Sequence, residues 1–224
     1  MKKLMESLGM NNVYYVPSFK RITKLPQKAL HPNDKIRFLF FSRITPYKGC
    51  DLIFEAVDIL ISKGYENNFE VGFYGMMQES YRSEFERKVG RLKGIATYHG
   101  VLDGTDVRSH EELATYDVFL FPTFGSDEGF PGAIVDAFIA GLPVIASDWN
   151  CNNEFIRNGE NGFLIPPRNV NALAEKMEWF INHPEFVRQK AVDIQQEALR
   201  FAADDVVGKD FLLKMGMLQA DEPS

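Results

Sequence analysis

The chain has 224 residues, 45% of them hydrophobic and 19 of them Phe, enough apolar material for one substantial core and too much for wholesale disorder. With 25 Lys and Arg against 31 Asp and Glu, the formal charge of -6 argues against nucleic acid as a partner, while permitting a local basic pocket for one phosphorylated ligand. Two cysteines, Cys50 and Cys151, are too few for a disulfide scaffold or a zinc site and read as reduced thiols. No stretch has the length of a signal peptide's apolar core or of a bilayer span, so a cytoplasmic protein is expected, with peripheral contact at the inner membrane face open to it.

In chain order, residues 12–32 form a lead-in segment with a short strand candidate at 13–17, closed by Pro17. An almost unbroken apolar run at 36–41 predicts a strand covered on both faces. A polar turn at 42–49 follows, and then a helix over 50–62, stopped by Gly64. The alternation continues with a strand at 69–74, a charged helix at 78–92, a strand at 95–99, a short helix at 110–115 and a buried strand at 117–121. Next come a helix at 131–140, a strand at 142–146, a helical turn at 153–157 and a strand at 162–165. Helices at 169–182, 184–200 and 206–215 and a frayed tail at 220–224 complete the chain. Strands alternating with helices at this spacing predict an α/β fold, a Rossmann-like and mainly parallel sheet flanked by helices. Ligands of such sheets bind beyond the carboxyl ends of the strands, so the loops after the strands are the ones to read for chemistry.

Several chemistries are absent by motif. There is no Gly-rich dinucleotide fingerprint, no P-loop and no nucleophile elbow. The four histidines, His31, His99, His110 and His183, lack metal-ligand spacing and read as surface or loop residues, and no metal site is expected.

Two constellations remain. In Ser42-Arg43-Ile44-Thr45-Pro46-Tyr47-Lys48-Gly49, at the end of the first buried strand, the planar fork of Arg43 and the point charge of Lys48 suit a diphosphate. Two solvated cations on a loop are the plain alternative. The second constellation runs from Phe124 to Ala137. There Gly129 and Gly132 let a ligand approach backbone amides, Pro131 suits the first helical position, and the helix points its positive end at that space. Glu128 precedes the helix, and Asp136 lies within it, two turns further along, where its carboxylate can accept from a ribose hydroxyl.

These residues carry a resemblance. The chain resembles the C-terminal, donor-binding domain of a family 4 glycosyltransferase with the GT-B fold, a retaining family. The matching pieces include Ser42-Arg43-Ile44 with Lys48-Gly49, Phe73-Tyr74-Gly75, His99-Gly100, Asp117 to Thr123 and Glu128-Gly129-Phe130-Pro131. They continue through Ala140 to Asp148 and Asn161 to Pro166, in order, between Lys35 and about Asn182.

The resemblance implies that the chain binds a nucleotide-diphosphate sugar and needs no other cofactor. It implies Arg43 and Lys48 on the donor phosphates, Glu128 on the transferred sugar and Asp136 at the ribose. It also implies Gly129, Phe130 and Gly132 around the sugar or diphosphate, and Gly100 and Val101 near the base. The family carries Glu where this chain has Asp136, a side chain one methylene longer, which makes ribose contact here weaker or water-mediated. The loop at 147–154 lacks the glycines of many relatives, so Glu154 reads as structural or peripheral. The expected organisation is a lead-in segment at 1–32 from a missing N-terminal domain that holds the acceptor site, the donor domain at 33–200, and a C-terminal helix and tail at 201–224. The implied activity is hexosyl transfer in bacterial polysaccharide or lipid-linked glycan synthesis, with the isolated piece expected to be inactive. A non-catalytic nucleotide-binding or regulatory module of the same fold is the alternative.

Overall fold

A computed structural model describes residues 7–11, 19–29, 35–103, 106–126, 131–215 and 217. Six strands form one parallel sheet: β1 (Ile36–Phe41), β2 (Phe69–Tyr74), β3 (Ala96–Gly100), β4 (Val118–Phe121), β5 (Val144–Ser147) and β6 (Gly162–Ile165), in the order β3-β2-β1-β4-β5-β6. Every ladder between neighbours is parallel, with Phe38 opposite both Val71 and Val118 at the centre. The Rossmann-like α/β architecture expected from the alternation is therefore the one observed. The predicted strand at 13–17, His31 and the tail at 220–224 lie outside the described residues.

The helices are α1 (Cys50–Ser62), α2 (Arg82–Arg91), α3 (Val107–Leu113), α4 (Gly132–Ile139), α5 (Val170–Asn182), α6 (Glu185–Ala198), α7 (Ala203–Val206) and α8 (Lys209–Lys214). The sheet divides them into two layers, because successive strand side chains point to opposite faces. Phe38 and Phe40 join the core under α1, α2 and α5, while Leu39 and Phe119 join the one under α3 and α4. α6 spans the two, with Val187 in the first and Ile194 and Ala198 in the second. Phe73 is the hub of the first layer, with ring centroids 5.7 Å from Phe40, 5.2 Å from Phe54 and 5.3 Å from Phe85.

Three local expectations need correction. The predicted helix at 206–215 is two short pieces, α7 and α8, with Gly208 between them in an extended conformation. The helix placed at 110–115 starts earlier, at Val107, because the Asp106 side chain accepts from the Arg108 N–H and caps it. Pro131 is not the first residue of α4 but its N-cap, with the helix opening at Gly132. Among the described residues, no helix is long and apolar enough to cross a membrane.

Candidate functional site

The sheet order reverses between β1 and β4: the chain builds outward from β1 through β2 to β3, then returns to β4 on the other side. In an open parallel sheet that reversal splays the two following loops apart and leaves a crevice at the carboxyl ends. The loops flanking it are 42–49 after β1 and 122–132 after β4, the two that carry the chemical constellations.

The first loop is tightly built. A single 3-10 turn, Pro46–Lys48, follows Thr45, and Gly49 reverses the chain into α1 at φ 85°, in the left-handed region. A side chain at Gly49 would collide with the neighbouring loop, since its Cβ would stand 2.3 Å from the Pro122 carbonyl oxygen. The second loop docks on the first through the Tyr47 carbonyl, which accepts from the Phe124 N–H at 3.0 Å and the Thr123 hydroxyl at 3.4 Å. Arg168 lies over the Phe124 ring, and the Trp149 indole N–H donates to the Gly125 carbonyl at 2.9 Å. Loops from β1, β4, β5 and β6 thus brace one another around the crevice.

Within this frame the expected residues divide. Arg43 is exposed on the first loop. Lys48 is only 7% exposed and so is not a solvated cation, whereas the plain alternative still fits Arg43. Gly132 opens α4 beside the crevice. Glu128, Gly129 and Phe130 lie outside the described residues. Gly100 ends β3 and Val101 is exposed, at the edge strand two positions from the reversal. Beside them is an open hollow of about 530 Å³, walled by Tyr74, His99, Asp103, Asp106 and Glu112. There His99 stacks on Tyr74 at 4.9 Å, and the Tyr74 hydroxyl donates to Glu112 at 2.6 Å. Burial, and then that hydrogen bond, raise the Tyr74 pKa and keep the phenol protonated.

Asp136 stands differently from the expectation of a carboxylate offered to a ribose. It is 3% exposed, and both its oxygens are engaged by the protein. Oδ2 accepts from the Lys20 ammonium at 2.9 Å, and Oδ1 lies 2.9 Å from His110 Nε2. His110, expected on a surface or loop, is instead buried on α3 with its ring against this carboxylate. Sequence reasoning missed Lys20 and His110 because their pairing with Asp136 spans 116 and 26 residues and leaves no local pattern.

On the far side of the crevice, β5 ends at Ser147, and Asn150 adopts φ 50° in the next turn. Asn is among the few side chains that tolerate this conformation, so it fills a position that a glycine would otherwise suit. Asn152 donates to the Ser147 carbonyl at 2.9 Å, whereas the Ser147 hydroxyl and Asn152 Oδ1 are buried without a partner among the described residues. Glu154 is exposed at the end of the 3-10 turn Asn152–Glu154.

Comparison with known proteins identifies relatives and a shared fold. The chain is 27% identical over 200 residues to the phosphatidyl-myo-inositol mannosyltransferase of Mycobacterium leprae, covering 88% of this chain and 51% of that protein. It is 29% identical over 150 residues to the amylovoran biosynthesis glycosyltransferase AmsK of Erwinia amylovora, covering 65% of this chain and 35% of that one. Its fold matches the crystal structure of Anabaena HepE in complex with UDP and glucose at a TM-score of 0.69, with 20% identity over 97% of this chain and 52% of HepE. The chain thus spans about half the length, or less, of the curated relatives it matches. Residues 35–183, the sheet from β1 to β6 with α5, match the family model described as glycosyl transferases group 1, and the chain belongs to that family.

Proposed function

We propose that this chain is the C-terminal, donor-binding half of a retaining family 4 glycosyltransferase of the GT-B type. It binds a nucleotide-diphosphate sugar and passes the hexose to an acceptor hydroxyl. The observation that carries this reading is the pairing of the two chemical loops, 42–49 and 122–132, across the reversal of the sheet. That crevice is where an open parallel sheet holds a nucleotide.

In this reading Arg43 and Lys48 grip the diphosphate. The leaving group gains negative charge as the glycosidic bond breaks, and preorganised cations and the amides at the start of α4 stabilise that charge without moving. Glu128 orients the transferred sugar, with the backbone of Gly129, Phe130 and Gly132 around it. Gly100 and Val101 lie towards the base, beside the hollow at the end of β3. Asp136 serves the ribose end. The chain divides into the lead-in at 1–32, the donor domain at 33–200 and the C-terminal helices and tail at 201–224. An N-terminal domain supplies the acceptor site, so this half alone transfers little. The relatives named for phosphatidyl-myo-inositol mannosyl transfer and amylovoran biosynthesis favour a bacterial polysaccharide or lipid-linked glycan as the product, made in the cytoplasm or at the inner membrane face.

Isothermal titration of the 224-residue chain with UDP and with GDP tests the reading. Saturable heat with one of them, weakened at least tenfold by Arg43→Ala and by Lys48→Met, is expected. Absence of saturable binding by either nucleotide overturns it.

A further inference from the structure

Asp136 lies one turn beyond Gly132, so the two share a face of α4. Across that face runs the side chain of Lys20. A Cβ built on Gly132 would meet Lys20 Cε at 3.7 Å and Nζ at 3.9 Å. The ammonium therefore stands over the first turn of α4, at the mouth of the crevice, while the carboxylate sits beneath it.

The two groups differ in what they can offer a ligand. The Asp136 side chain is 4% exposed, and its two oxygens are occupied by Lys20 and His110. The Lys20 side chain is 28% exposed. An ammonium carries three N–H donors, and among the described residues the Lys20 ammonium donates to Asp136 alone. A ligand arriving from solvent meets the cation and not the acid.

The position of Lys20 is set by the backbone. Its N–H donates to the Phe201 carbonyl at 2.8 Å, and its own carbonyl accepts from the Ala203 N–H at 2.9 Å, which forms a short parallel bridge with Ala202. Phe201 in turn stacks on Phe155 at 5.2 Å. The segment before the domain and the segment after it are thus joined at the residue whose side chain enters the crevice. This arrangement orients a flexible four-carbon stem before any ligand binds, which lowers the entropic cost of using it.

We infer that Lys20 is a donor-contacting residue. Its ammonium, braced by Asp136, donates to oxygens of the nucleotide diphosphate at the start of α4, and Asp136, held by His110, is the positioning residue behind it. This rests on the donor-binding reading proposed above. It changes what that reading asks of Asp136, from a direct acceptor of ribose hydroxyls to the anchor of a cation. The oxygens that an ammonium recognises belong either to the phosphates or to the ribose, and the probes below separate the two.

The experiment is isothermal titration of the 224-residue chain with UDP, GDP and inorganic pyrophosphate, using wild type, Lys20→Met, Lys20→Arg and Asp136→Asn, with thermal unfolding of each variant in parallel. Lys20→Met keeps most of the stem and removes the charge. It is expected to weaken binding of the nucleotide at least tenfold while Lys20→Arg stays within about threefold of wild type. Asp136→Asn is expected to fall between them, because the ammonium remains but loses its ionic brace. A parallel loss for pyrophosphate assigns the contact to phosphate oxygens, and a loss confined to the nucleotides assigns it to the ribose. Either outcome supports the inference. Nucleotide binding by folded Lys20→Met at wild-type strength overturns the inference alone. Failure of wild type to bind UDP or GDP overturns the donor-binding reading, and this inference with it.

Discussion

Gly49 packs directly against Pro122: a Cβ on Gly49 would lie 2.3 Å from the Pro122 carbonyl oxygen and 2.8 Å from its ring. This close approach is what brings the cation-bearing loop and the loop after β4 to the two sides of one crevice. It also requires φ 85° at residue 49, so two separate constraints demand a glycine there. Gly49→Ala is expected to lower stability by about 2 kcal/mol or more, from the left-handed backbone and the backbone clash together. It should also weaken nucleotide binding more than the stability loss alone explains. Urea denaturation and titration on the same sample check both, and a fully stable variant would show that the loops can part without cost.

Glu128 is the residue proposed to orient the transferred sugar. In the two-domain protein proposed above, Glu128→Gln preserves size and removes the charge, so the expected result is a fall in kcat of about a hundredfold, comparable to loss of one preorganised contact in a transition state. The dissociation constant of the nucleotide diphosphate without its sugar should change by less than about threefold, because that ligand has no sugar to orient. A variant that transfers at the wild-type rate would instead take Glu128 out of the proposed site.

Lys28 gives a pH dependence with a definite sign. Its side chain is 6% exposed, and its ammonium donates to the carbonyls of Ala114, at 3.0 Å, and Tyr116, with Asp117 3.8 Å away. Burial lowers its pKa from 10.5 to about 8, and the nearby Asp117 carboxylate only partly opposes this. Between about pH 8 and 10.5 the unfolded chain holds a proton that the folded chain has released, so this group makes stability rise with pH across that window. The full effect is about 3 kcal/mol. The difference in stability between wild type and Lys28→Met, measured by urea denaturation at pH 7 and pH 10, should therefore shift by that order in favour of wild type at the higher pH. A difference that stays constant would place the ammonium in water.

Phe73 holds three other rings together, and its truncation leaves a cavity that the rigid sheet cannot close. Phe73→Ala is expected to cost about 3–5 kcal/mol. β2 is neighbour to β1, and their loops touch where the Ser42 N–H donates to the Tyr74 carbonyl at 3.2 Å, so nucleotide binding should weaken as well. Denaturation midpoints with and without saturating nucleotide measure the two effects separately.

The order of strands and helices was readable along the chain because most strands are short apolar runs between turn residues, the edge strand β3 excepted, and each major helix has its own stripe. The period and the punctuation are local properties of the sequence. Arg43, Lys48 and Gly132 were legible as candidates for the same reason, since they lie on the loops that follow β1 and β4 or at the first residue of the helix after them. Asp136 was found as an acid of the helix, but its environment was not. Whether its carboxylate meets a ligand depends on Lys20, 116 residues earlier, and on His110 from another helix. Burial and pairing of this kind arise only when the helices close on the sheet. The chain's own pattern therefore determined which loops stand at the carboxyl ends of the strands, and tertiary packing alone decided that Lys20 and His110 meet Asp136 beside them.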